Sequence, residues 1–213
     1  MIRYDVVAFD LYGTLLDISG LAARMQPLVG SGSAALLARW RKNQLERTWR
    51  LNHEGRYDRW DHVTAAALSE VAPELSPTVR HNLAEMWLEL PAYPDAAASL
   101  RALKEAGVKR AILSNGTRAM ITRALEVNML TVDKVLSADD VHVYKTNPRV
   151  YALLDSLAAR SRTLFITANG WDSDGARRDS RITGWIDRGG GEPPQIPPSF
   201  RISSLSEVPA LLK

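Results

Sequence analysis

Asp10 closes an apolar run, Val6-Val7-Ala8-Phe9, and leads at once into Leu11-Tyr12-Gly13-Thr14. A strand that delivers one carboxylate into a Gly/Thr turn suits a covalent carboxylate nucleophile. The residue two places on narrows the chemistry. It is Tyr12, so no second acid stands ready to protonate an oxygen leaving group. That points away from phosphate-ester hydrolysis and towards a leaving group that departs as an anion, such as halide. The plainer alternative for Asp10 is a strand-end aspartate that caps a turn. Thr14 serves a turn as readily as it donates to a carboxylate, and Tyr12 suits packing or a pocket wall.

Two more apolar runs end in polar residues. Ala111-Ile112-Leu113 stops at Ser114-Asn115-Gly116, and Thr163-Leu164-Phe165-Ile166-Thr167 stops at Ala168-Asn169-Gly170-Trp171-Asp172. Ser114 and Asn115 can bind a substrate carboxylate, and the Asn115 amide can meet a departing halide; an ordinary Ser-Asn-Gly turn accounts for them equally. Gly116 permits close backbone approach. Asn169 can donate to the nucleophile or its ester, and Asp172 can pair with Lys145 or place a water. Lys145 near the nucleophile would favour the ionised carboxylate; by itself it is a surface lysine. Tyr151 is by default a helical core residue. Arg41 lies among Trp40, Leu45 and Trp49. It either snorkels to solvent or, over the site, is a partly desolvated cation for a halide or carboxylate. Leu45, Trp60 and Trp171 can line a small apolar pocket, with plain helix packing the competing account of Trp60. His53, His62, His81 and His142 form no metal-ligand constellation, and no Gly-rich nucleotide loop is present.

These residues need a scaffold that brings strand ends together. Residues 4–9 read as a buried strand, followed from about Gly20 to Met86 by helical periodicity (Leu36, Leu37, Trp40, Leu45, Trp49; then Trp60, Val63, Ala67, Leu68, Val71). Val79 to Leu90 reads as a helix after Pro73 and Pro77. Asp95 is the expected N-cap of a helix over Ala97–Glu105. A strand at 111–113, a helix from Ala119 to about Asn128, a weak strand at 132–136, a helix over Pro148–Ala159 and a strand at 163–167 follow. Ile182–Ile186 reads as a peripheral strand and Gly189–Ser199 as a surface loop. The alternation predicts an α/β fold: a Rossmann-like parallel sheet with helices on both faces and a helical cap insertion. In such sheets the crevice lies beyond the carboxyl ends of the strands, where the three polar clusters converge. The expected division is 1–15 with 93–213 as the core domain and 16–92 as the cap.

Composition excludes several alternatives. The 27 basic and 24 acidic residues balance to +3, without a basic stripe, so nucleic acid is not an expected partner. No cysteine is present, which removes disulfides and thiolate chemistry. No signal-like or membrane-spanning apolar run occurs, and the expected location is cytoplasmic.

The segment Phe9-Asp10-Leu11-Tyr12-Gly13-Thr14-Leu15 resembles the first motif of the haloacid-dehalogenase-like hydrolases, and Ile112-Leu113-Ser114-Asn115-Gly116 resembles their second. Trp40-Arg41-Lys42-Asn43-Gln44-Leu45-Glu46, Lys145 with Asn147-Pro148-Arg149-Val150-Tyr151, and Asn169-Gly170-Trp171-Asp172 with Gly175-Ala176 resemble, more narrowly, the L-2-haloacid dehalogenases. The resemblance implies that Asp10 displaces halide from C2 of a short haloacid with inversion, and that water then cleaves the aspartyl ester. It implies Arg41 and Asn115 in halide abstraction. Thr14, Ser114, Lys145, Tyr151, Asn169 and Asp172 position nucleophile, substrate carboxylate and water, while Leu11, Tyr12, Leu45, Trp60, Thr167 and Trp171 line the substrate site. It further implies no metal or organic cofactor, and a homodimer. Magnesium-dependent phosphatases of the same superfamily carry an acid where Tyr12 stands; a phosphatase, or a hydrolase of another small 2-substituted acid, is the alternative. One departure is Thr167, where the dehalogenase pattern has Ser; its extra methyl bears on substrate preference. A non-catalytic scaffold is the reading from another class, disfavoured by the cost of burying so many polar residues unpaired.

Overall fold

The computed structural model describes residues 4–213; the first three residues of the expected core domain lie outside the described residues. The chain begins with β1 (Val6–Phe9), whose four residues are all buried. Four helices come next: α1 (Leu21–Val29), α2 (Ser33–His53), α3 (Trp60–Val71) and α4 (Pro77–Glu85), the last running into a 3-10 turn at Met86–Glu89. The remainder alternates: α5 (Ala96–Glu105), β2 (Lys109–Ser114), α6 (Arg118–Val127), β3 (Lys134–Ser137), α7 (Pro148–Ala152), β4 (Thr163–Thr167), α8 (Gly170–Arg178), β5 (Ile182–Ile186) and β6 (Phe200–Ile202).

The strands form one parallel sheet in the order β3-β2-β1-β4-β5-β6. β1 sits between β2 and β4, with Phe9 level with Ile112 on one side and Ile166 on the other. This is where the strand order reverses, and connections to neighbouring strands leave in opposite directions and open a crevice. The ladder carries one step further, because the Asp10 N–H donates to the Ile166 carbonyl at 2.9 Å. Asp10, Ser114 and Asn169 therefore emerge side by side.

Side-chain alternation builds a core on each face of the sheet. Val7, Phe9, Ile112, Leu164 and Ile166 pack on one side with residues of α5, α6 and the helical insertion. Val6, Ala8, Ala111, Leu113 and Phe165 pack on the other, against Val150, Tyr151, Leu154 and Ala176. Within the insertion, α2 buries Leu36, Trp40, Gln44 and Thr48 on one stripe, against α3. That seam is partly polar: the Trp40 indole N–H donates to the Thr64 carbonyl at 2.8 Å, and Gln44 Nε2 to Thr64 Oγ1 at 2.6 Å. Both bonds fix the rotation of α2, and so where Arg41 points.

Several sequence expectations need correction. Asp95 stands at the N-cap of α5, which begins one residue before the expected Ala97, but its side chain bonds no helix amide; its carboxylate accepts from both terminal nitrogens of Arg188, from the Ser204 hydroxyl and from the Leu205 N–H. A bidentate, charge-assisted partner outweighs a lone helix amide. The helix expected over Pro148–Ala159 stays α-helical only to Ala152 and tightens to a 3-10 turn over Leu153–Ser156. The helix expected over Val79–Leu90 starts two residues earlier, at Pro77, and gives way to a 3-10 turn after Glu85. β5 is not peripheral, since β6 covers its outer edge. β6 and the 3-10 helix Leu205–Leu212 carried no sequence expectation. Among the described residues no helix is long and apolar enough to cross a membrane.

Candidate active site

The apolar strands explain where the carboxylates go: β1 and β4 can run only through the core, so their polar neighbours are stranded at its edge. Asp10 is 5% exposed and would be costly there without partners. It has three. Lys145 Nζ donates to Oδ1 at 2.8 Å, while Thr14 Oγ1 and Asn169 Nδ2 donate to Oδ2 at 2.9 and 2.8 Å. The turn that makes this possible needs Gly13 at φ +83°, a backbone conformation L side chains rarely adopt. Thr14 Oγ1 also accepts the Ala168 N–H at 2.9 Å, so the hydroxyl is oriented to donate towards Asp10. Asn169 Nδ2 is shared with the Tyr12 carbonyl at 3.1 Å.

Lys145 is 1% exposed, not a surface lysine. Its ammonium bridges Asp10 and Asp172, with 2.8 Å to each. Burial works against the charged amine, but the two carboxylates outweigh it and hold its pKa above the ordinary lysine value. Asp172 is fully buried; its other oxygen accepts the Tyr151 hydroxyl at 2.7 Å. Burial, with the charge of Asp10 added, outweighs Lys145 and raises the Asp172 pKa above the usual carboxylate range. Burial and the neighbouring Asp172 push the Tyr151 phenol well up, so it donates and stays neutral. Tyr151 reaches Asp172 because residue 175 is glycine: a Cβ there would stand 2.5 Å from the Tyr151 hydroxyl.

The opposite flank belongs to the insertion. Arg41 is partly buried and donates to Gln44 Oε1 at 2.6 Å. Its guanidinium carbon lies 5.7 Å from the centre of the Trp87 ring, and Trp87 in turn meets Tyr12 edge-on at 5.8 Å. Desolvation lowers the Arg41 pKa, while the charge of Asp10 acts to hold the guanidinium cationic. An arginine remains protonated under such conditions. The Tyr12 ring lies against Gly116, where a Cβ would stand 3.1 Å from Cε2 and 3.3 Å from the hydroxyl. Burial pushes the Tyr12 phenol far up, so it is a neutral wall and not an acid. Asn115 Oδ1 accepts the Lys145 N–H at 2.9 Å, and Ser114 Oγ accepts the Gly116 N–H at 3.1 Å. Both residues thus hold the turn and stand at the site.

The structure brings Asp10, Thr14, Lys145, Asn169, Asp172 and Tyr151 into one hydrogen-bonded cluster, with Arg41 and Tyr12 facing it. It does not do so for every expected residue. Leu11 is fully buried core, and its carbonyl is occupied by the turn amides of Thr14, Leu15 and Leu16. Thr167 is fully buried and its hydroxyl accepts the Asn169 N–H at 3.1 Å, so it shapes the turn that aims Asn169. Leu45 joins the larger core cluster, Trp60 packs 6.1 Å from Tyr144, and Trp171 meets Trp49 at 6.3 Å. Trp87 and Gln44 were missed. Trp87 lies in a segment with no motif; Gln44 was signalled by its i+3 spacing from Arg41. No group of three or more His, Cys, Asp or Glu suited to a metal ion occurs among the described residues.

Comparison with known proteins agrees with this geometry. Residues 4–178 match the family model described as haloacid dehalogenase-like hydrolase. The chain is 38% identical to (S)-2-haloacid dehalogenase 1 of Pseudomonas sp. (strain CBS-3), over 96% of this chain and 94% of that protein. A crystal structure of a dehalogenase with intermediate complex superposes with a TM-score of 0.93 at 35% identity, covering 100% of this chain and 98% of the other. The L-2-haloacid dehalogenase of Xanthobacter autotrophicus with chloropropionic acid covalently bound gives 0.89 at 28% identity, with 98% of both chains covered.

Proposed function

The chain belongs to the haloacid dehalogenase-like hydrolases, among the (S)-2-haloacid dehalogenases, and on that premise we propose that it hydrolyses short L-2-haloalkanoic acids to 2-hydroxy acids. The observation that carries the reading is the Lys145 ammonium, held at 2.8 Å from both Asp10 and Asp172. A fixed cation between two buried carboxylates holds Asp10 aimed, and Tyr12 supplies no proton to an oxygen leaving group.

The reaction has two balanced steps. An Asp10 oxygen attacks C2 of the haloacid from the side opposite the carbon–halogen bond; the C–O bond forms, the bonding pair leaves with the halide, and C2 inverts. Arg41 receives the anion in a partly desolvated setting where its charge counts for more than in water. Water then adds to the ester carbonyl, the acyl C–O bond breaks, and Asp10 is regenerated with release of the hydroxy acid and one proton. Thr14, Asn169 and Lys145 hold the carboxyl throughout, and Asp172 places Lys145 and the water. Ser114 binds the substrate carboxylate, and the Asn115 amide joins Arg41 in receiving the halide. Residues 16–92 act as a cap domain that carries Arg41 over the core, and the functional protein is a homodimer, as the resemblance implies.

Incubation with L-2-chloropropionate after chelator treatment tests this. Stoichiometric chloride and D-lactate are expected. Chelator-sensitive phosphate release from a phosphate ester, with no halide from any short haloacid, would replace the reading with that of a phosphatase.

A further inference from the structure

Lys145 is fixed at its side chain by two carboxylates, but a second set of contacts fixes its backbone, and these come from the insertion. Asn52, one residue from the end of α2, donates from Nδ2 to the Tyr144 carbonyl at 2.9 Å and accepts the Tyr144 N–H on Oδ1 at 2.9 Å. One side-chain amide thereby reproduces the paired bonds that an antiparallel strand would offer the residue before Lys145. The Tyr144 carbonyl also accepts the Asn147 N–H at 2.9 Å, whereas no further acceptor is recorded for its N–H.

The grip extends along the loop. The Tyr144 side chain is fully buried, lies 5.0 Å from the Tyr57 ring and 6.1 Å from Trp60, and its hydroxyl donates to the Asp58 carbonyl. The Tyr57 hydroxyl donates to the Asp139 carboxylate. Residues 52–60 of the insertion therefore hold residues 139–144 of the core immediately before Lys145. From there the Lys145 N–H runs to Asn115 and its Nζ to Asp10 and Asp172.

We propose that Asn52 is a positioning residue: by clamping the Tyr144 peptide it sets the Lys145 ammonium between Asp10 and Asp172, and so ties the seating of the insertion to the assembly of the nucleophile. The geometry makes the clamp consequential. Two 2.8 Å contacts from one ammonium leave little slack, and a displacement of about 1 Å at a reacting group costs up to roughly a hundredfold in rate. The contact is not a general brace, since Asn52 is partly exposed and touches neither carboxylate.

The rate expected here rests on the proposed dehalogenation; the structural consequence does not. Asn52→Leu removes both bonds at similar volume, and Asn52→Asp keeps the acceptor for the Tyr144 N–H. With L-2-chloropropionate, N52L should lower kcat by about 10- to 100-fold with KM within about twofold, while N52D recovers part of the loss. Hydrogen exchange followed by mass spectrometry should show lost protection in the peptide spanning 141–147, with β1 and β4 unchanged. Parental kcat in N52L, or protection lost evenly through the sheet, would overturn the proposal. Should the parent protein release no halide, the activity falls but exchange still decides: unchanged protection at 141–147 in both variants ends the idea, and local loss supports it.

Discussion

On the Lys145 flank of Asp10 the buried polar groups are matched to one another: both Asp10 oxygens, both Asp172 oxygens, the Lys145 amine and the Tyr151 hydroxyl all have partners. On the Arg41 flank they are not. Among the described residues the Tyr12 hydroxyl and the Trp87 indole N–H are buried with no partner, beside a guanidinium that donates to Gln44. One flank holds a carboxylate in a fixed orientation. The other gathers donors and positive charge next to apolar rings, which suits an anion that arrives during the reaction. On the proposed reaction the difference teaches that the core prepares the nucleophile, while Arg41 and Trp87 of the insertion, with Tyr12 beneath them, receive the leaving group.

The largest effect should come from Lys145→Met. It leaves two buried carboxylates facing each other, so kcat should fall by about a thousandfold or more and the fold should lose about 3–5 kcal/mol. Urea unfolding of both proteins across pH refines this. The folded pKa of Lys145 lies above the ordinary lysine value of 10.5, so its contribution is whole below that pH and is lost as pH rises through the raised value. On the alkaline side the stability gap between parent and variant should therefore hold up to pH 10.5 and shrink beyond it, and in acid it should narrow as Asp172, raised by burial and freed of Lys145, takes up a proton in the variant. A gap that closes near neutrality would show that the two flanks do not differ in preorganisation.

Arg41→Lys should cost less, about 10- to 100-fold in kcat/KM, because the ammonium cannot keep the planar contact with Trp87 and the bond to Gln44 together. The loss should be greater for chloride than for bromide, the better leaving group, with stability unchanged. Equal losses for both halides would move Arg41 from leaving-group reception to substrate binding. Gly116→Ala should be smaller still. Its methyl presses on Tyr12 from 3.1 Å, and the ring must shift towards Trp87, so a several-fold rise in KM that worsens with substrate length is expected. Unchanged KM across a series of chain lengths would show that Tyr12 is not a wall of the substrate site.

The nucleophile flank was readable in the chain because strand-end position is a strong constraint. Asp10, Ser114 and Asn169 each follow a run of buried residues, and a parallel sheet leaves those ends in one place. The Arg41 flank was less so. Helical periodicity placed Arg41 in the insertion but not its rotation, which depends on Trp40 and Gln44 bonding to Thr64, twenty or more residues away. Trp87 falls in a 3-10 turn at the end of the helix expected over Val79–Leu90, and that pattern gives no sign of which way its side chain turns. Motif position does not reveal that Thr167 and Leu11 are fully buried and bond within the turns that present Asn169 and Asp10, because motif neighbours of a site residue also build the turn that presents it. Asp95 shows the same limit, since its partner Arg188 lies 93 residues on.

A single turnover in ¹⁸O-labelled water, with enzyme in excess over L-2-chloropropionate, probes covalent catalysis by Asp10 most directly. Mass measurement of the Asp10-containing peptide should find one ¹⁸O in the carboxylate and none newly placed at C2 of the lactate. Label appearing at C2 with an unlabelled peptide would show water attacking carbon directly, and would contradict the assignment of Asp10 as nucleophile.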